Sequence, residues 1–140
     1  MIYTNIGQVL LLIVGFLILF TAYFTCQNFA SQVLKDDGFG NLGFTSVAVL
    51  YLVYSIVSFF AAAIVKKVGN IPRCMCFGAL CYSFWIFSFL LPSYYSQRKD
   101  RGSLPWYLKK GFIEAVCNIT SGITGFGAGI LWVCQGNFIS

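Results

Sequence analysis

The charged residues of this chain occur in clusters, and the gaps between those clusters restrict its fold more than any other feature. Lys35, Asp36 and Asp37 form one group; Lys66, Lys67 and Arg73 a second; Arg98, Lys99, Asp100 and Arg101 a third; Lys109, Lys110 and Glu114 a fourth. Between them lie uncharged stretches of 34 residues (Met1 to Leu34), 28 (Gly38 to Val65), 24 (Cys74 to Gln97) and 26 (Ala115 to Ser140). Each exceeds the roughly 20 residues with which a helix crosses a hydrocarbon core about 30 Å thick. With 59% hydrophobic and 9% charged residues, and a mean hydropathy of +0.81, the chain has too few charges to coat a water-soluble surface.

Backbone chemistry then selects the conformation of the spans. In lipid every N–H and C=O needs an internal partner, which leaves helices or closed barrels. Barrel strands are shorter and alternate polar with apolar residues. Runs such as Val9 to Val14 and Phe87 to Leu91 are close to apolar throughout, so the chain is read as an all-α membrane protein. Four transmembrane helices are expected at about 6–29, 45–65, 74–91 and 112–138, in one domain covering residues 1–140. The first span has no Lys or Arg before it and no small-residue cleavage site after it, which reads as a retained helix rather than a cleaved leader.

Polar residues inside the spans are the candidates for function. In the first helix Thr21, Thr25 and Asn28 recur at spacings of four and three and share a face, with Gln27 beside them. Near the end of the fourth span stand Gln135 and Asn137. Such side chains prefer protein or water to lipid, so they are expected to dock helices or to line a cavity. Ser121, Gly125 and Gly129, four residues apart, form a ridge of small residues that lets a neighbouring helix approach closely. The segment Gly125-Phe-Gly-Ala-Gly129 lacks the third glycine of a dinucleotide fingerprint and has no strand before it, so nucleotide binding is rejected.

The loops carry topology rather than chemistry. Lys66, Lys67 and Arg73 flank Gly69, Asn70 and Pro72 in a short basic hairpin, and Pro92 is expected to break or kink the end of the third helix. Basic residues are split among loops instead of gathered on one face, which argues against a nucleic-acid partner. The first and third loops hold six Lys or Arg against three in the second, which by the positive-inside rule favours an outside amino terminus. No histidine is present, the six cysteines lie in or beside apolar spans, and no carboxylate pair is placed to share a substrate. No catalytic residue, metal or cofactor is therefore expected, and Cys26, Cys74, Cys76, Cys81, Cys117 and Cys134 are read as packing residues.

Three segments carry a resemblance: Phe20 to Asn28 in the first helix, Gly43 to Tyr51 opening the second, and Gly125 to Asn137 in the fourth. They resemble the uncoordinated-ninety-three-like proteins, ion channel regulators within the major facilitator superfamily. The resemblance implies the first part of a six-helix bundle in a twelve-helix, transporter-like fold, with a cytoplasmic amino terminus and a cavity between two bundles. It implies a polar cavity in which Thr21, Thr25, Gln27 and Asn28 face Gln135 and Asn137, with a small molecule or ion as substrate. The superfamily's cytoplasmic signature normally contains an acidic residue, and the loop from Lys66 to Arg73 has none. A chain of four helices is expected to be either part of a longer product or a shortened relative. In the first case the remaining helices complete a transporter or channel regulator. In the second the same residues make a structural or accessory subunit of a larger membrane complex, its partners being the lipid bilayer and other transmembrane helices.

Overall fold

The computed structural model describes residues 6–99 and 105–139, so the loop charges Asp100 and Arg101 lie outside the described residues. Helix α1 spans Ile6–Leu34, α2 Leu42–Val68, α3 Ile71–Ser88, α4 Leu90–Arg98 and α5 Lys110–Ile139. Helix follows helix because the apolar runs leave no other way to satisfy the backbone in lipid. Four segments are long and apolar enough to span a membrane: Ile6–Phe39, Leu42–Val68, Ile71–Arg98 and Lys110–Phe138.

The helices run past the expected ends, and the reason is the same at each end. Apolarity stops at the membrane boundary, but the backbone hydrogen bonds do not, so helix continues through Gln32 and begins again at Leu42 and Lys110. The turn after α1 needs glycine, since Gly38 has φ 83° and Gly40 φ 58°. At the other end of α2, Gly69 takes a left-handed conformation and donates its N–H to Val65 O at 3.0 Å. One residue later Asn70 caps α3, its Oδ1 accepting the Arg73 N–H at 3.1 Å, with Pro72 in the first turn where a missing N–H costs nothing.

Pro92 does not end the third span. The helix breaks three residues earlier, at Phe89, and α4 carries the chain on to Arg98. Placed in the first turn of α4, Pro92 removes a donor that would have had no intrahelical partner, so the kink falls before it and the span continues. Tyr94 is exposed, as an interfacial tyrosine should be, but Tyr95 turns inward and packs its ring 5.0 Å from Phe39.

Packing centres on α5, which lies between α2 and α3. Gly125 and Gly129 face α2: a Cβ on Gly129 would come within 2.9 Å of Val57 Cγ1, and one on Gly125 would meet the α2 backbone at Leu50 and Tyr54. Gly127, rotated by about 200° from Gly125 at 3.6 residues per turn, faces α3. A side chain there would lie 2.8 Å from Cys81 Sγ, and one on Gly78 of α3 would lie 2.9 Å from Gly127 O. Glycines on both sides of α5 thus admit two neighbours at close range. Ser121 stands one turn before Gly125, and its buried hydroxyl accepts the Trp85 Nε1–H at 2.8 Å while donating to Cys117 O at 2.7 Å. Thr124 donates across to Cys81 O at 2.9 Å.

Helix α1 is held differently. It approaches α2 closely at Gly43, where a Cβ would meet Ser31 Cα at 2.6 Å, and rests its aromatic face on Tyr82, Trp85 and Trp132. The hairpin after it is tied to the rest of its end of the bundle: Ser96 Oγ donates to Asp37 Oδ1 at 2.7 Å, and Lys110 Nζ donates to Gly38 O at 2.8 Å.

Candidate functional site

Where α1 passes into its hairpin and α2 begins, the two helices diverge and leave a cleft of 760 Å³. Its polar wall is Gln27, Asn28, Ser31, Gln32, Lys35 and Asp36, all from one stretch of α1 and its continuation, while Phe44 and Val47 of α2 close the apolar side. Helical spacing explains the concentration: residues 28, 31, 32 and 35 lie three or four apart and stack on one face. Charge increases toward the hairpin, where Lys35 and Asp36 follow the amides of Gln27, Asn28 and Gln32. Lipid cannot solvate this surface, so water or another polar surface must. Gln27 Oε1 is fully buried and accepts no hydrogen bond.

The residues singled out from the sequence fall into three groups. Gln27 and Asn28 line the cleft. Thr21 and Thr25 are exposed, and their hydroxyls are taken up by their own helix, donating to Leu17 O at 2.6 Å and Thr21 O at 2.7 Å; this back-bonding satisfies a hydroxyl inside a membrane helix without any partner helix. Gln135 and Asn137 are at the other end of the bundle. Trp132 packs on Phe16 and Phe20, so the residues after it lie beyond that level, away from Gln27, by more than ~10 Å along the axis at about 1.5 Å per residue. The amides of α1 and α5 therefore do not face one another. Antiparallel connectivity is the cause, since residues near the carboxyl end of α1 share a level with the start of α5.

Gln135 Oε1 is a second buried oxygen with no hydrogen bond. Asn137 shares a smaller cleft of 430 Å³ with Val65, Lys66, Gly69 and Ile71, so the basic hairpin adjoins the end of α5. Lys66, Lys67 and Arg73 are exposed there. Cys74 and Cys134 share a buried cluster with Val65 and Ile130, and Cys81 and Cys117 are also buried. Among the described residues no three Cys, Asp or Glu side chains converge as metal ligands.

Sequence reasoning missed Gly127 and Gly78, the pair that seats α5 on α3, and Ser31, which both lines the cleft and meets Gly43. The signal for Gly127 was present: a glycine two residues off a four-residue ridge points to the opposite side of the helix. It also missed a group of aromatic side chains where α1, α2, α3 and α5 meet, because these residues are far apart in the chain.

Comparison with known proteins agrees with this architecture. The family described as ion channel regulatory protein UNC-93 matches residues 37–97, from the first hairpin to α4. UNC93-like protein MFSD11 of Xenopus tropicalis is 29% identical over 139 residues, covering 95% of this chain and 26% of the relative. Protein unc-93 homolog A of Xenopus laevis is 30% identical over 140 residues, 97% of this chain and 25% of the relative. UNC93-like protein 3 of Arabidopsis thaliana is 27% identical over 130 residues, 93% of this chain and 22% of the relative. No solved structure matches. The chain spans about a quarter of the length of the curated relatives it matches. Four membrane-spanning helices and these matches make it a multi-pass integral membrane protein similar to the UNC-93-like proteins.

Proposed function

We propose that the chain supplies four helices of a transporter-like, channel-regulating membrane protein of major facilitator type, and that the cleft on α1 is a wetted wall of its cavity. One observation supports this reading above the others: six polar side chains of α1 and its hairpin gather on a single open face of 760 Å³ in a molecule whose other surfaces are largely apolar. A polar solute or an ion would enter past Lys35 and Asp36 and meet the amides of Gln27 and Asn28. In this reading α2, α3 and α5 are the rigid frame and α1 is the element that meets solute. Residues Gln135, Asn137 and Lys66 belong to the opposite mouth.

A second reading rests on the loose seating of α1. Here the same polar face, including the unpaired Gln27 oxygen, docks against further helices of a larger complex, and the chain is an accessory subunit. Both readings are tested by thiol accessibility in native-like membranes. Cys26 and Cys76 are replaced by serine, and cysteines are introduced singly as Asn28→Cys, Ser31→Cys and, as a lipid-facing control, Leu17→Cys. The cavity reading expects a membrane-impermeant thiol reagent to modify positions 28 and 31 and to leave 17 unmodified. Protection at all three positions, with cross-links from 28 or 31 to another polypeptide, would overturn it in favour of docking.

A further inference from the structure

Halfway along the bundle, four helices bring seven aromatic side chains around one cavity. Phe20, Tyr23 and Phe24 come from α1, Tyr51 and Tyr54 from α2, Tyr82 from α3 and Trp132 from α5, and they line a cavity of 200 Å³. None of them lines the polar cleft of α1.

The rings are set at steep angles to one another. Tyr23 and Tyr82 are perpendicular, at 90° and 5.1 Å between centroids; Phe20 stands at 86° to Tyr23 and 71° to Tyr82, at 6.3 and 5.5 Å. Three planes so arranged make the corner of a box. Trp132 flanks Phe20 at 5.4 Å and 39°, extending one wall. The hydroxyl of Tyr23 neighbours that of Tyr51, and the hydroxyl of Tyr82 neighbours the Trp132 indole. Tyr23 and Tyr82 are buried, whereas Tyr51 and Trp132 are about half exposed, so the box has a fixed floor and an open side.

The lining of the cavity is predominantly aromatic, ring faces carry negative quadrupole charge, and neither carboxylate nor lysine lines it. A primary ammonium would bring three N–H donors, each needing an acceptor in addition to the ring faces. A quaternary ammonium has no N–H to satisfy, sheds water readily, and is attracted by each ring face it meets. The volume is below the range of drug-sized pockets, about 300–1,000 Å³, which limits the guest to a small head group. We infer that this cavity is a binding site for a small quaternary ammonium group, held by cation–π attraction from Tyr23, Tyr82, Tyr51 and Trp132.

The test uses the chain in lipid nanodiscs with two probes of nearly equal shape: choline, and 3,3-dimethylbutan-1-ol, in which carbon replaces the charged nitrogen. Binding is measured by calorimetry. Choline is expected to bind saturably and at least tenfold more tightly than the neutral probe, and Trp132→Leu to weaken choline about tenfold, the effect of one ring face lost. Tyr82→Phe keeps the ring and is expected to bind within about threefold of the native chain, which separates loss of the face from loss of the fold. Equal affinity for the two probes would overturn the inference and leave an apolar pocket. So would a failure of choline to bind in a chain whose thermal transition is intact, or a Trp132→Leu chain that binds choline normally.

Discussion

Helices α5 and α1 are both apolar spans of nearly equal length, yet half of the apolar stretch of α5 is buried inside the bundle against 6% of that of α1. Hydrophobicity does not decide which helix is central, and the first is the more apolar of the two. In lipid there is little gain from bringing one apolar surface to another, so close approach and hydrogen bonds decide. Helix α5 has Gly125 and Gly129 toward α2, Gly127 toward α3, and Ser121 and Thr124 bonded to α3. Helix α1 has Gly7 and Gly15, both facing open space, and threonines bonded to their own turn. The helix with interfacial glycines becomes the frame, and the other keeps a face free for a further surface.

The strongest attempt to break this comparison exchanges glycines for leucine in each helix. Gly125→Leu forces a side chain into the α2 backbone, which has no rotamer with which to yield. A cost of at least about 3 kcal/mol is expected, at the upper end of overpacking effects, read as loss of monodisperse protein in detergent and a collapsed thermal transition. Gly15→Leu, with nothing within 4 Å, is expected to change stability by less than about 0.5 kcal/mol. Comparable losses from the two would show that α1 is seated as tightly as α5.

A smaller effect is expected from Ser121→Ala, which leaves the fully buried Trp85 Nε1–H without its acceptor. The stranded donor should cost about 1–3 kcal/mol. Adding Trp85→Phe removes the donor, so the double variant should be less destabilised than the two single effects combined. Additive losses would mean that the bond contributes nothing and that the glycine contacts and the Thr124–Cys81 hydrogen bond hold α5 to α3. Asn70→Ala, which removes the cap of α3, is expected to cost about 1 kcal/mol, and Asn70→Asp to retain the cap through its carboxylate; an Ala variant as stable as the native chain would place the start of α3 under the control of Pro72 instead.

How much of this was legible in the sequence depends on the range of the interaction concerned. The four spans were legible because solvation by lipid acts on every residue of a run and needs no partner. The Gly125/Gly129 ridge was legible because its period belongs to a single helix. Helix ends differ from the expected ones by up to seven residues, since apolarity marks the edge of the membrane and not the edge of the hydrogen-bonded backbone. The pairing of α1 amides with α5 amides failed because polarity reveals that a side chain needs company but not at which level of the bundle it sits. Tyr23, Tyr51, Tyr82 and Trp132 are far apart in the chain, and only the fold brings them to one cavity.

The smallest expected effect sharpens the contrast most. Gln27 Oε1 is buried at the edge of the cleft without a hydrogen bond, so the native chain already bears the cost of desolvating it. Gln27→Met replaces the amide with an apolar chain whose methyl has similar reach. Where a polar group has no partner, an apolar replacement is neutral or mildly stabilising, and a change within about 0.5 kcal/mol is expected in the thermal transition. The same substitution should lower thiol labelling at Ser31→Cys, because it makes one wall of the wetted face apolar. A loss above about 1 kcal/mol would mean that Gln27 carries a bond holding α1 in place, and the polar face of α1 would then be a packing surface rather than a free wall.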